Sequence, residues 1–271
     1  MNIITTSQKS NGFIQEEAKH LASSIPMTYV KRNKSSMAQL FEAYHSDFIA
    51  VLSGDGLTIY FSPSQHHTFH LSMAQLRILR IQRGEGDHLI NAVQSILTAV
   101  HPVSMLSTFS LLDCTAGLGS DSVVLSYGFP DAHITCLEAS LPIWLSTSYG
   151  LSHYEHRQVE ATAALRRILM HHASFEEYLP ALKDDAADIL YFDPMFEVPI
   201  EDSPQFKPLR GHTVESAITE SIIDEAMRIA KYGFIIKERP FSSIFQLHPP
   251  DQWIGGKYSR IGYGVYIKET V

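Results

Sequence analysis

Phe109-Ser110-Leu111-Leu112-Asp113-Cys114-Thr115-Ala116-Gly117-Leu118-Gly119-Ser120-Asp121 reads as a buried strand that runs into a glycine turn and then a helix. The apolar run from Phe109 to Cys114 has the length of a strand covered on both faces. Small residues and two glycines follow, so a ligand can approach the backbone closely. The helix that begins near Ser120 presents unpaired N–H groups at its start. A third glycine is absent, with Ser122 in its place, which departs from the dinucleotide-binding fingerprint. No Lys-Ser or Lys-Thr pair follows, as a phosphate-binding loop would need.

Downstream, the same alternation repeats. Ile134–Leu137, Ile168–His171, Ile189–Phe192, Phe234–Lys237 and Gly264–Ile267 are further strand runs, with helical stretches between them. The clearest helix covers Val214–Ala230, with Ile218, Ile222, Ala226 and Ile229 at helical spacing. Strand and helix in alternation predict an α/β fold with a mostly parallel central sheet and helices on both faces. Ligands in such sheets bind beyond the carboxyl ends of the strands. Glu138 stands at the second such end, 25 positions beyond Asp113. An acidic residue there accepts hydrogen bonds from a ribose. His172-Ala173-Ser174-Phe175 follows the third strand and offers a polar contact and a ring to a base. Asp193-Pro194-Met195-Phe196 follows the fourth. Proline removes an N–H and fixes φ, so this turn can present acceptors.

The first hundred residues differ. Asn2–Thr6 is a short β-branched run, and Gln15–Ser24 and Ser36–Tyr44 are short helix candidates. Phe48–Leu52 and Leu57–Phe61 flank Ser53-Gly54-Asp55-Gly56, a hairpin signal. The expected organisation is a small N-terminal α/β domain over residues 1–100, with a possible part in substrate recognition, and a larger domain over 101–271. Met73–Arg83 reads as a helix with Arg77, Arg80 and Arg83 along one side, either a solvated face or a phosphate-contacting stripe. Lys31-Arg32-Asn33-Lys34 would extend that stripe.

The chain has 271 residues, 45% of them hydrophobic and 18% charged, which excludes a disordered protein. No apolar run reaches the roughly 18 residues of a membrane span. The start lacks the basic and apolar regions of a signal peptide, and a cytoplasmic protein is expected. Cys114 and Cys136 lie in apolar strand-like runs, which suits buried reduced thiols and leaves no disulfide framework or zinc set. The pairs His66-His67 and His171-His172 bring no third ligand, so no metal is expected. A net charge of −8 weighs against nucleic-acid binding over the whole surface, but not against a local basic patch.

Together, Asp-x-Thr-Ala-Gly-Leu-Gly, Glu138, His-Ala-Ser and Asp-Pro-Met-Phe resemble class I SAM-dependent methyltransferases, where SAM is S-adenosylmethionine. Within that class they are similar to the RsmJ-type 16S rRNA guanine-N2 methyltransferases and their uncharacterised Gram-positive relatives. The resemblance covers roughly residues 105–240. Ile235-Ile236-Lys237-Glu238-Arg239-Pro240 also looks like that family's Val-Lys-Arg-Pro stretch, with Glu238 interrupting the Lys-Arg pair. Ser120 stands where the closer rRNA enzymes carry Arg. The resemblance implies a Rossmann-like fold and SAM as cofactor. It implies cofactor contacts from the glycine turn (Asp113, Thr115, Gly117, Gly119), Ser120, Asp121, Glu138, Ala139, Ser174, Phe175 and Asp193. Asp193, Pro194 and Phe196 become the catalytic candidates, with methyl transfer to a base amino group of rRNA as the expected reaction. Lys207 and Arg210 are candidate phosphate contacts. The alternatives are a protein-carboxylate or small-molecule O-methyltransferase, a nicotinamide-dependent oxidoreductase, and a non-catalytic RNA-binding module.

Overall fold

The computed structural model describes residues 1–100, 108–194, 217–257 and 259–268. The chain divides into two compact units. The first contains residues 1–70 and 141–155, and the second holds 71–140 and the described residues from 156 onward.

The first unit opens with β1 (Ile3–Thr6), α1 (Gly12–Ser23), β2 (Thr28–Tyr29), α2 (Met37–Tyr44), β3 (Ile49–Ser53), β4 (Gly56–Tyr60) and β5 (His66–Thr68). They form one sheet in the order β2-β1-β3-β4-β5. β1 is parallel to both β2 and β3, β4 pairs antiparallel with β3, and β5 pairs antiparallel with β4. α1 starts where the Asn11 side chain accepts the Ile14 N–H. α2 starts with a reciprocal cap between Ser36 and Gln39. Ile3, Ile49 and Val51 bury one face of the sheet against Leu40 of α2.

In the second unit α3 (Ser72–Gln82) and α4 (His88–Val100) precede β6 (Ser110–Asp113), α5 (Ser120–Gly128) and β7 (His133–Glu138). The next helix, α6 (Leu141–His153), belongs to the first unit, where Gly150 lies so close to the Phe69 ring that a Cβ would overlap it. The second unit resumes with α7 (Val159–Arg166), β8 (Ile168–His172), α8 (Phe175–Tyr178) and β9 (Ala187–Phe192). It ends with α9 (Glu220–Ile229), β10 (Ala230–Glu238), α10 (Ser243–Leu247), β11 (Gln252–Gly255) and β12 (Gly262–Ile267). The sheet order is β11-β12-β10-β9-β6-β7-β8. β10, β9, β6, β7 and β8 run parallel, and β12 and β11 close one edge antiparallel.

Period-two alternation builds a core on each face of this sheet. Leu111, Ile189 and Ile235 point to one side, where Leu89, Val93 and Ile96 of α4 cover them. Leu112, Leu190, Phe234 and Ile236 point to the other, where Ile222, Ala226 and Ile229 of α9 cover them. The strand runs read from the sequence are all present as strands. α9 begins at Glu220 after the Thr219 cap, later than the expected Val214 start; residues 214–216 lie outside the described residues. α4 was not anticipated, and Asp87 caps it by accepting the N–H groups of Leu89 and Ile90. Cys114 and Cys136 are free and buried. Among the described residues, no helix is long and apolar enough to cross a membrane.

Candidate functional site

β6 lies between β7 and β9, and the chain winds outward from it on both sides, so the switch point at which such sheets bind ligands falls at the carboxyl ends of these strands. The glycine turn is built there by side chains that accept backbone N–H groups. Asp113, 1% exposed, accepts the Thr115 N–H at 3.1 Å and the Ser122 hydroxyl. Burial pushes its carboxyl up to about 7, against these hydrogen bonds. Gly117 and Gly119 take φ of 53° and 74°, left-handed backbone that suits glycine. A Cβ on Gly117 would meet nothing nearer than the Thr115 carbonyl oxygen at 4.0 Å, so the space above the turn is open.

Glu138 ends β7 and faces the same turn. Its two oxygens accept the Gly117 N–H at 3.0 Å and the Ser140 N–H at 2.7 Å. Burial raises its pKa, opposed by these backbone bonds. From β8, Ala173 donates its N–H to the Glu138 carbonyl, and His172 Nε2 lies 3.0 Å from the Ala139 carbonyl oxygen. Ser174 caps α8 by accepting the Glu177 N–H. Phe175 is 4% exposed, and its ring packs edge-on against Phe192. Ser120 is partly exposed in the first turn of α5.

Asp193 follows β9. Its N–H donates to Thr115 Oγ1 at 2.6 Å, which ties the β9 end to the glycine turn. Its carboxylate accepts Lys237 Nζ at 2.7 Å. Lys237, on the adjacent strand β10, also donates to Asp121 at 2.9 Å. Asp121 in turn accepts the Tyr191 hydroxyl at 2.6 Å and the Arg77 guanidinium. Arg77 grips Asp87 through two nitrogens at 2.7 and 2.8 Å. The result is a chain of alternating charge: Asp87, Arg77, Asp121, Lys237, Asp193. Burial alone would raise the Asp121 carboxyl, but Lys237 and Arg77 hold it well below the usual carboxylate range. Burial raises the Asp193 carboxyl to about 6, with Lys237 opposing the shift and Asp121 adding to it. Burial would depress the Lys237 ammonium, but its two carboxylate partners hold it well above its ordinary value.

The glycine turn, Glu138, Ser174 and Asp193 therefore gather at neighbouring strand ends of one sheet. Asp113 and Asp121 also lie there, with their carboxylates turned to protein partners. Pro194 is partly exposed beside Asp193, while Phe196, Lys207 and Arg210 lie outside the described residues. Of the three arginines read as either a solvated face or a phosphate-contacting stripe, Arg80 and Arg83 are exposed and Arg77 is turned inward to Asp87 and Asp121. Arg77 is 19% exposed and paired, Arg80 pairs with Glu85 at 2.8 Å, and Arg83 follows the last turn of α3. Lys237 and Tyr191 were missed as site residues. A lysine behind the apolar run Phe234-Ile235-Ile236 was the available signal, because a cation in a covered strand needs a partner.

The family described as "Putative SAM-dependent methyltransferase" matches residues 80–268, well over half of the chain. The chain is 28% identical over 269 residues to the uncharacterized protein YpiP of Bacillus subtilis (strain 168), covering 99% of this chain and 95% of that one. It is 27% identical over 165 residues to ribosomal RNA small subunit methyltransferase J of Psychromonas ingrahamii, covering 59% of this chain and 62% of that protein. Its fold is similar to the crystal structure of the SAM-dependent methyltransferase NGO1261 from Neisseria gonorrhoeae, with a TM-score of 0.62, 19% identity and coverage of 98% and 96% of the two chains. The open glycine turn and the carboxylate of Glu138 beside it fit the ribose and the slender chain of S-adenosylmethionine. With a family match over most of its length and strand ends of this chemistry, the chain belongs to the SAM-dependent methyltransferases.

Proposed function

We propose that this methyltransferase acts on the exocyclic amino group of a nucleic-acid base, guanine N2 of small-subunit rRNA. The observation that carries the reading is Asp193, a carboxylate fixed at the β9 end by Thr115 and Lys237 beside the glycine turn. The similarity to ribosomal RNA small subunit methyltransferase J supports it. Glu138 and the Gly117–Gly119 turn would hold the cofactor, with Ser120, Ala139, Ser174 and Phe175 around it. When bound, S-adenosylmethionine supplies an activated methyl on a sulfonium.

The protein supplies position and a proton acceptor. A base amino group is a weak nucleophile because its lone pair is delocalised into the ring. Asp193 accepts a hydrogen bond from that N–H and favours a more tetrahedral nitrogen. Its negative charge stabilises the positive charge that develops on the nitrogen. As the carbon–nitrogen bond forms, the methyl's bond to the sulfonium sulfur would break with its electron pair left on sulfur, and the surplus proton on the nitrogen would pass to the carboxylate, whose pKa near 6 suits it to receive and release a proton near neutrality. Lys237 keeps the carboxylate ionised and aimed. A carboxylate substrate would meet repulsion from Asp193, which disfavours carboxyl methylation.

The test is labelled-methyl transfer into rRNA from a strain lacking this protein, with the modified nucleoside identified by mass. Asp193→Ala should lower kcat by about 100-fold or more while changing SAM affinity little, because the lost interaction strengthens in the transition state. Asp193→Asn should keep more activity than Asp193→Ala, since its amide oxygen still accepts. Transfer confined to isoaspartyl peptide, and faster in Asp193→Asn, would overturn the proposal.

A further inference from the structure

The first unit carries a basic edge remote in sequence from the cofactor motifs. Residues 1–70 contain five Lys and Arg: Lys9, Lys19, Lys31, Arg32 and Lys34. Four of them lie in two loops that leave the carboxyl ends of β1 and β2, which are adjacent parallel strands. Lys9 sits in the β1–α1 loop, and Lys31, Arg32 and Lys34 sit in the β2–α2 loop. The loops are joined, because Gln8 Nε2 donates to the Lys34 carbonyl at 3.3 Å. Arg32 Nε donates to the Ser35 carbonyl at 2.9 Å, which folds the second loop on itself. Asn33 and Lys34 take positive φ of 43° and 66° to make that turn.

Of the acidic residues in residues 1–70, two lie toward the other end of the sheet, and the two in the second turn of α1 are already engaged. Glu16 pairs with Lys19, and Glu17 accepts the Tyr149 hydroxyl. Glu42 lies in the last turns of α2 and Asp47 just before β3, toward the opposite end of the sheet. Asp55, in the β3–β4 turn, lies on the basic side. Among the described residues, no carboxylate pairs with Lys9, Lys31, Arg32 or Lys34. The three lysines are exposed. The first turn of α1 opens on the same edge and adds the positive end of a helix. It also carries Phe13, a large ring that is 77% exposed.

We infer that this edge binds the sugar-phosphate backbone of single-stranded RNA, with Lys9, Lys31, Arg32 and Lys34 on the phosphates and Phe13 as a platform for a base. Cations spread over two loops suit a chain of phosphates better than one small anion, and an exposed ring beside them suits an unpaired base. In a protein of net charge −8, such a local concentration also sets which face an RNA approaches first. The inference rests on the RNA reading of the methyltransferase.

The experiment measures binding of a fluorescein-labelled oligouridylate to the full chain by anisotropy across a salt series. Neutralising Lys9, Lys31 and Lys34 to Gln should flatten the log–log salt slope by about 0.7 per lost contact, roughly 2 in all. Lys→Arg at the same positions should keep the slope. Phe13→Ala should weaken binding about tenfold at fixed salt. SAM affinity, read by calorimetry, should be unchanged in every variant. An unchanged slope in the neutralised variant overturns the inference, as does preference for an acidic peptide over RNA that the same variant loses. Binding through this edge without methyl transfer to RNA would sustain the inference and overturn the amino-transfer reading. Normal RNA methylation and normal RNA affinity in the neutralised variant would do the reverse.

Discussion

Lys237 is the residue on which the charge chain turns, since its one ammonium serves Asp121 at 2.9 Å and Asp193 at 2.7 Å. Lys237→Met leaves two carboxylates at the strand ends without their shared cation. Removing one partner of a buried ion pair costs on the order of 3 kcal/mol, because an uncompensated charge stays behind. A second consequence separates positioning from mere support. Asp193 titrates near 6 in the folded protein, so its carboxylate form is complete only above that pH. Turnover should rise with pH through about 6 and level off above it. Lys237 lowers that pKa, so Lys237→Met should move the midpoint of the kcat profile upward. A reduced rate with an unmoved midpoint would leave Lys237 with a structural role alone. For stability the sign is opposite. A carboxyl raised from 3.8 to about 6 favours the folded state below pH 4, and that contribution is lost as pH climbs through 6.

At the scale of elements, the β6–α5 turn shows how a short segment is held ready for a ligand. Asp113 binds the Thr115 N–H, Glu138 binds the Gly117 N–H, and Thr115 binds the Asp193 N–H. Three strands therefore fix one turn. Gly117→Ala puts a side chain at a φ of 53°, which costs about 1 kcal/mol, and places its methyl in the open space above the turn. The expected outcome is a small loss of melting temperature with a loss of SAM affinity of tenfold or more. Equal and small effects on both would mean that the cofactor does not approach this turn. The helix pair α3 and α4 is organised by similar means: Asp87 caps α4 and receives Arg77 from α3.

For the whole molecule, the candidate cofactor contacts fall within the second unit, and the basic edge falls within the first. Cofactor binding and the RNA binding inferred for that edge should therefore be separable by mutation. SAM at 100 times its Kd should stabilise the protein by about 2.7 kcal/mol, seen as a raised melting temperature. Glu138→Ala should remove most of that rise, because losing a charged hydrogen-bonding partner costs about 1.5–3 kcal/mol of binding. A full SAM-dependent rise in Glu138→Ala would remove Glu138 from the ribose. The division into units also places α6 with residues 1–70, although it follows β7 directly in the chain.

Much of this was legible in the residues. Each strand run, the hairpin at Ser53–Gly56, the glycine turn, Glu138 and Asp193 followed from patterns within a few residues of one another. Period two marks a strand, period three to four marks a helix, and Gly and Pro mark the turns, whatever the rest of the chain does. The residues at strand ends could then be picked out, because a parallel sheet brings such ends together. What only the tertiary structure decided was the pairing of charges. Arg77 meets Asp121 across 44 positions, and Lys237 meets it across 116. Spacing along α3 made Arg77 look like one of three surface cations, whereas packing turned it inward to two carboxylates. The same holds for Lys31–Lys34 and Lys9, which share an edge because β1 and β2 pair in parallel. Local geometry is set by each residue's own conformational preferences, but which charges face each other depends on where the strands carry them.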